Sequence, residues 1–542
     1  MYKQEASPEG DMKPTHKAVS NSSRNDVPSA LAAMGADELR EVVREIMLEL
    51  DDRARGRVAS AIIRRGSRGG SGWVPASLAD AEVTEAVAFA EAARRVGHAD
   101  AADVDDRLRR GVAAFLRKDY AAAHRIFGAL LRPMAEGEID LGQDELISEV
   151  LGVDAHECAV QYVVSAYMTS EPARRAETVR TAITEVRGVG YFYEPIREME
   201  GAAVEALPGL GDFLPEWRVI VEREAAGGRP NDWDTEADRW LREVVRRVEG
   251  SDGLAKVARS TRRADDLRGW CESLVESGDL KAALAAFEEA ADLLTNRESV
   301  RGEFLDGAAL AAQEIGHKDV SPWLERAWRA QPTMLRLRRW LGWATTEQSI
   351  RERVAEALQA CPKEAQRQHA FLHVLQGDIE QAAESLAEAP GLGWSNSEHP
   401  GHLIFPLFQA LLGRNGAASP PSGPEGGMDI EELESRTPEG DDEPQLATPK
   451  VSDILRDAGV EGVSDAKARN VVRAAMRRAA ETRVAAVTDQ KRRRQYGHAA
   501  SLVAACVACD GSPETARWAA TLRENYRRFP ALCAEFARRM GS

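Results

Sequence analysis

The stretch Cys271-Glu-Ser-Leu-Val-Glu-Ser-Gly-Asp-Leu-Lys-Ala-Ala-Leu-Ala-Ala-Phe-Glu-Glu-Ala290 constrains the fold more than any other. It reads as two short helices joined by a Gly278-Asp279 turn. In the second helix Ala283, Phe287 and Ala290 fall at i, i+4 and i+7, so all three share one face. Alanine at a crossing point lets two helix backbones approach, and the phenylalanine fills the space beside it. Such a face is stable only against another helix, so the stretch predicts an antiparallel helical hairpin.

This is the pattern of the second half of a tetratricopeptide-like repeat, and weaker copies recur. Gly111, Ala123, Phe127 and Leu130 occupy the places of Cys271, Ala283, Phe287 and Ala290, with Lys118-Asp119-Tyr120 as the turn. Val320, Leu324, Ala327 and Pro332 form another copy, with Gly316 near its turn. A third has Gly377-Asp378-Ile379 as turn and Ala382, Leu386 and Ala389 as stripe. A last copy is read in Ala499, Val503 and Cys506, with Tyr496 and Gly497 as its turn. The spacing between copies is uneven, which predicts a degenerate array. The expected fold class is all-α: an irregular tetratricopeptide-like helical-hairpin array (α-solenoid) with a separate small helical C-terminal module. Abundant Ala, Leu, Arg and Glu, with few β-branched residues, favours helix throughout.

Five segments are expected. Residues 1–28 read as a disordered tail, polar and without periodicity. Residues 29–224 read as an N-terminal helical domain with one tetratricopeptide-like hairpin, beginning with helices carrying Leu39, Val42, Val43, Ile46 and Leu50, then Val58, Ile62 and Ile63. Residues 232–412 hold the clearest repeats. Residues 415–450 form an acidic Pro/Gly-rich linker. Residues 451–542 form a basic helical C-terminal module, with ten basic residues and two acids between Lys467 and Arg494.

Lys plus Arg number 71 against 88 Asp plus Glu, a net charge of −17. That argues against whole-surface binding to nucleic acid or anionic membrane and leaves room for a local basic patch. The apolar stretch Ser501–Ala508 is too short to span a bilayer, and the first residues lack the apolar core of a secretory signal. Six scattered cysteines form no disulfide framework, so a cytoplasmic location is expected.

Several motifs have a chemical and a structural reading. Arg64 to Trp73 mixes Arg with Gly and could cradle a phosphate, but without a Walker pattern it reads as a connector that breaks the helix. Asp232, Asp234, Glu236 and Glu243 imitate a calcium loop, but Ala237 stands where glycine is needed, so Asp234 or Thr235 is expected to cap a helix. Cys506 and Cys509 could share zinc with His498 or Cys533, yet Cys506 lies on an apolar stripe. His156 and Cys158, two apart on a helix, point to different faces. Gly188 to Pro195 is the densest aromatic cluster and reads as packing between helical layers. The basic run ending in Lys491, Arg492, Arg493 and Arg494 is the candidate patch for a partner or nucleic acid, with solvent or the acidic linker as its plainer counterpart.

Lys491 to Tyr496, Ala499-Ala500, Trp518 and Tyr526-Arg-Arg-Phe-Pro-Ala-Leu532 carry a resemblance. They are similar to the helical region that accompanies SWIM zinc fingers in uncharacterised bacterial helical-repeat proteins. The Cys-x-Cys…Cys-x-His signature of that finger is absent, so the resemblance implies a helical-repeat scaffold and no metal. The function expected is a non-enzymatic scaffold that binds a protein or peptide partner, without cofactor or membrane. The alternatives are nucleic-acid association through 467–494, or an enzyme with its site near His156 or the Tyr191–Tyr193 cluster.

Overall fold

The computed structural model describes residues 29–68, 73–142, 147–227, 233–344, 346–413 and 445–540. The expected tail 1–28 and most of the expected linker lie outside them. The chain is all-α: among the described residues there is no strand, only an isolated bridge between His98 and Asp140. No helix described is long and apolar enough to cross a membrane.

The chain divides into two compact units, Met1–Val248 and Glu249–Ser542. The first contains α1 (Ala36–Glu49), α2 (Asp52–Arg68), α3 (Asp80–Val96), α4 (Ala101–Leu116), α5 (Tyr120–Ala135), α6 (Ala155–Thr169), α7 (Arg175–Glu185), α8 (Pro195–Ala202) and α9 (Leu210–Ala226). The run α10 (Glu236–Thr261) is two helices meeting at Gly250, whose φ of 64° and ψ of −153° are not helical. The second unit contains α11 (Ala264–Glu276), α12 (Leu280–Leu293), α13 (Glu298–Glu314), α14 (Ser321–Ala330), α15 (Met334–Gly342), α16 (Glu347–Ala360), α17 (Gln366–Gln376), α18 (Ile379–Glu388) and α19 (Gly401–Gly413). After residue 445 come α20 (Val451–Asp457), α21 (Ala466–Asp489), α22 (Tyr496–Cys509), α23 (Pro513–Asn525) and α24 (Pro530–Met540). Consecutive helices pack on one another, as in a hairpin array.

The repeated turn has one chemistry at three places. Lys118, Gly278 and Gly377 take left-handed φ values of 68°, 77° and 85°. The next residue in each case, Asp119, Asp279 or Asp378, accepts a hydrogen bond from the backbone N–H three positions on. One residue thus ends a helix and the next caps the following one. Behind the turn, Ala283 and Ala290 are fully buried, and Phe287 leans on Gly307 of α13, where a Cβ would come within 2.5 Å of the ring. In the copy at 111–130 the close approach is inside the hairpin, where a Cβ on Gly111 would come within 2.7 Å of the Phe127 ring.

Three expectations need correction. The boundary placed near 224–232 falls instead at 248/249, because Trp240 and Val244 belong to the core of the first unit with Trp217 and Phe213. The C-terminal helices are not a separate module: one core runs from Ala309 through Leu386 and Phe408 to Val484, Val503 and Phe536. The stripe read on α21 and α22 had to be covered, and α18 and α19 cover it. The end of the expected linker is also part of the fold. Gln313 brackets Gln445 O and Ala447 N at 3.0 and 3.1 Å, Leu446 is buried, and Arg338 donates to Pro449 O at 2.6 Å.

Smaller differences follow local rules. Helix α2 continues through Arg64 and Gly66 to Arg68 where a break was expected, and 69–72 lie outside the described residues. The turn assigned to Tyr496-Gly497 lies earlier, at Lys491 with φ 53°, and both residues start α22.

Candidate functional site

Lys491, Arg492, Arg493 and Arg494 sit where α21 ends and a 3-10 turn leads into α22. All four side chains are exposed. The rest of the basic segment is spent inside the molecule. Lys467 meets Glu380 at 2.8 Å, and Arg469 donates to Val463 O at 3.0 Å. Arg477 meets Asp510 at 3.0 Å and Glu514 at 3.1 Å, and Arg473 stands 3.7 Å from Asp510. Arg478 pairs loosely with Glu481, and buried Arg483 donates to Gly391 O at 2.8 Å. The charge that looked like a solvated stripe mostly fastens α21 to α18, α23 and the loop before α19. The patch is therefore the four residues at its end and not the whole of 467–494.

The aromatic cluster does two things. The segment before α8 has no regular structure, and burial alternates along Tyr191, Phe192 and Tyr193. Phe192 is 2% exposed in the core, as expected, while Tyr191 and Tyr193 face solvent at 57% and 59%. The guanidinium of Arg239, on α10, lies 5.5 Å and 5.1 Å from their two ring centres and also donates to the Tyr191 hydroxyl. Below, Trp240 Nε1 donates to Phe192 O at 2.9 Å. Two large rings are thus held out from the surface by a rigid base.

His156 joins this cluster. Its ring lies 5.7 Å from Phe192, and its Nε2 stands 3.4 Å from Glu198 on α8. Glu198 raises the His156 pKa against the opposing effect of burial. Glu198 also accepts from the N–H groups of Tyr193 and Glu194 at 2.8 and 2.9 Å, which ties the α8 start to the tyrosines. Glu243 accepts from Ile196 and Arg197 N–H at 3.2 and 2.7 Å, and burial pushes its carboxyl up to about 7. The two places singled out in the sequence, His156 and Tyr191–Tyr193, are therefore one place. Arg239 and Glu198 were missed because nothing local links them to the tyrosines.

The other motifs separate. Cys158 faces the core away from His156, and burial drives its thiol pKa up. Asp234 meets Arg242 at 2.7 Å, Glu236 meets Arg187 at 2.8 Å and Glu243 caps α8, so the described acids of the calcium-like run serve different partners, while Asp232 lies outside the described residues. Thr235 caps α10, its hydroxyl accepting from Asp238 N–H at 3.3 Å. Burial raises the thiols of Cys506 and Cys509, the latter to about 11, which opposes thiolate ligation. Among the described residues no three His, Cys, Asp or Glu side chains converge as a metal site.

Comparison with known proteins finds no matching family model and no matching curated protein.

Proposed function

We propose that the chain is a non-enzymatic scaffold that binds a protein or peptide partner on its helical-hairpin surfaces, with Tyr191, Tyr193 and Arg239 as the centre of one binding face. The observation that carries this reading is the pair of tyrosines, each more than half exposed and preorganised by Arg239. Tyr and Arg are enriched at interface hot spots, and Tyr offers large contact area at small entropic cost. Helix α1 adds support: it buries no residue, and Val43 and Ile46 on its apolar stripe are 39% and 49% exposed. The six cysteines are all free, which fits a reducing cytoplasm. The resemblance of the C-terminal helices to those accompanying SWIM zinc fingers bears on the scaffold alone.

A second reading rests on Lys491–Arg494: four exposed cations in sequence can contact phosphates of a nucleic acid. The test is capture from native lysate with and without nuclease, using the full chain and the triple variant Arg492→Glu, Arg493→Glu, Arg494→Glu. Truncation before α20 is unsuitable, since it strips the shared core. A discrete protein that survives nuclease and is kept by the triple variant supports the scaffold. Recovery of nucleic acid alone, lost in the variant and falling steeply with salt, overturns it.

A further inference from the structure

A group of nitrogen-bearing side chains converges in the second unit, where the loop between α18 and α19 is pressed onto α21 and α22. Trp394 is its centre, with the rings of His399, His402 and His498 at 4.5, 5.6 and 4.8 Å from its own. Arg483 reaches the same place from α21, fixed by its bond to Gly391 O. Gly391 lies so close to Thr482 O that no side chain fits there, which holds the loop down. His399 and Arg483 are each 4% exposed. His402, His498 and Arg367 are partly exposed, and Arg492 is fully at the surface.

No carboxylate acts on Arg483, His399 or His402. His399 feels His402 and Arg483; His402 feels Arg367 and Arg483. His498 feels Arg483, His402, His399 and Arg539, and Arg483 feels Arg492. Glu398 acts on Arg367, and Arg539 is taken by Glu535 and Ser501. Arg483 thus has a carbonyl and no carboxylate, in a chain whose net charge is −17. Its Nε and His498 Nδ1 are buried without a hydrogen-bond partner, while His399 accepts from Gly401 N–H at Nδ1 and lies beside the Pro390 carbonyl. Buried charges are normally paired, and orphaned buried polar atoms in one cluster mark a place where a ligand or ion belongs.

We propose that this cluster is a binding site for a phosphate-class oxyanion, as inorganic phosphate or as the terminal group of a small phosphomonoester, with Arg483, His399 and His498 as donors and Arg492 at the mouth. A guanidinium presents a fork of N–H groups that suits a tetrahedral oxyanion better than a spherical halide. Each neutral imidazole offers one N–H beside the guanidinium. Arg483 and His399 are buried and His498 is partly exposed, which suits a terminal phosphate better than the middle of a polymer.

The test uses the full chain in chloride buffer at constant ionic strength, with calorimetry and thermal unfolding against inorganic phosphate and, separately, glycerol 3-phosphate. Saturable binding is expected, with a Tm rise that grows with phosphate concentration. Arg492→Gln, which touches nothing in the core, should weaken binding roughly three- to tenfold. Arg483→Met, an apolar replacement of similar length, should abolish it. Tighter binding of the phosphomonoester assigns the site to a metabolite, and tighter binding of phosphate assigns it to the free anion. The proposal is overturned if phosphate raises Tm no more than added chloride, if an oligonucleotide binds where phosphate does not, or if both variants respond as the native chain does.

Discussion

Acidification should loosen the second unit, and the imidazoles around Trp394 set the size of the effect. Burial lowers His399 and His498 from the ordinary 6.5 to about 4, with Arg483 and the neighbouring imidazoles adding to it. A depressed histidine means the unfolded chain binds protons first. Stability is therefore full above pH 6.5 and falls as pH drops toward 4. Linkage gives about 2 kcal/mol per histidine between pH 7 and 5, and discounting the partly exposed His498 leaves about 3 kcal/mol for the pair. That is a large share of a domain's usual stability, and should lower the urea midpoint by about 1 M. The assay is urea unfolding in phosphate-free buffer at the two pH values, followed by circular dichroism and by hydrogen exchange of peptides from α21 and α22. The double variant His399→Gln, His498→Gln should lose most of the pH dependence, whatever its absolute stability. An unmoved native midpoint, or an equal drop in the double variant, refutes the reasoning. In the first unit Glu198 raises His156 while burial lowers His124, so the two effects oppose each other there.

Three further outcomes are expected. Asp279→Ala removes the cap that Ala282 N–H donates to and should cost about 1 kcal/mol in urea unfolding, with Asp279→Asn largely neutral. Lys118→Gly relieves a left-handed residue and should stabilise by about 0.5–1 kcal/mol, since the exposed Lys118–Glu205 pair that it deletes is worth less. Glu243→Gln loses one of the two acceptors that cap α8, at any pH, but removes a carboxyl raised to about 7, which favours the folded state below pH 4.5 and loses that advantage as pH rises through 7. Relative to the native chain the variant should therefore fare better at pH 8 than at pH 5 by about 2.5 kcal/mol, and equal effects at both pH values would contradict the account.

What the residues disclosed in advance was local. The Gly-Asp turns at 278–279 and 377–378 are legible because a left-handed residue followed by a cap is a signal contained in two positions. Lys118-Asp119 was recognised by the stripe around it, although lysine is a poor left-handed residue. What stayed hidden depends on pairs distant in sequence. The bond from Arg483 to Gly391 O joins residues 92 positions apart, and no local pattern distinguishes a basic residue that docks a loop from one that faces water. Likewise His399 and His402 are close in sequence, but His498 meets them only because α22 packs on α19. The alternating burial of Tyr191, Phe192 and Tyr193 depends on the irregular segment before α8, which Gly190 and Pro195 hint at without fixing.

The scaffold reading stands most directly on the two exposed tyrosines. Once a nuclease-resistant partner is in hand, its affinity for the native chain and for the Tyr191→Ala, Tyr193→Ala variant should be measured by calorimetry, with circular dichroism to confirm that the exposed substitutions leave the fold intact. The account predicts a loss of about 2 kcal/mol or more, roughly thirtyfold in Kd. An affinity unchanged within about twofold, a difference of some 0.4 kcal/mol, would contradict it and take the binding face away from Tyr191, Tyr193 and Arg239.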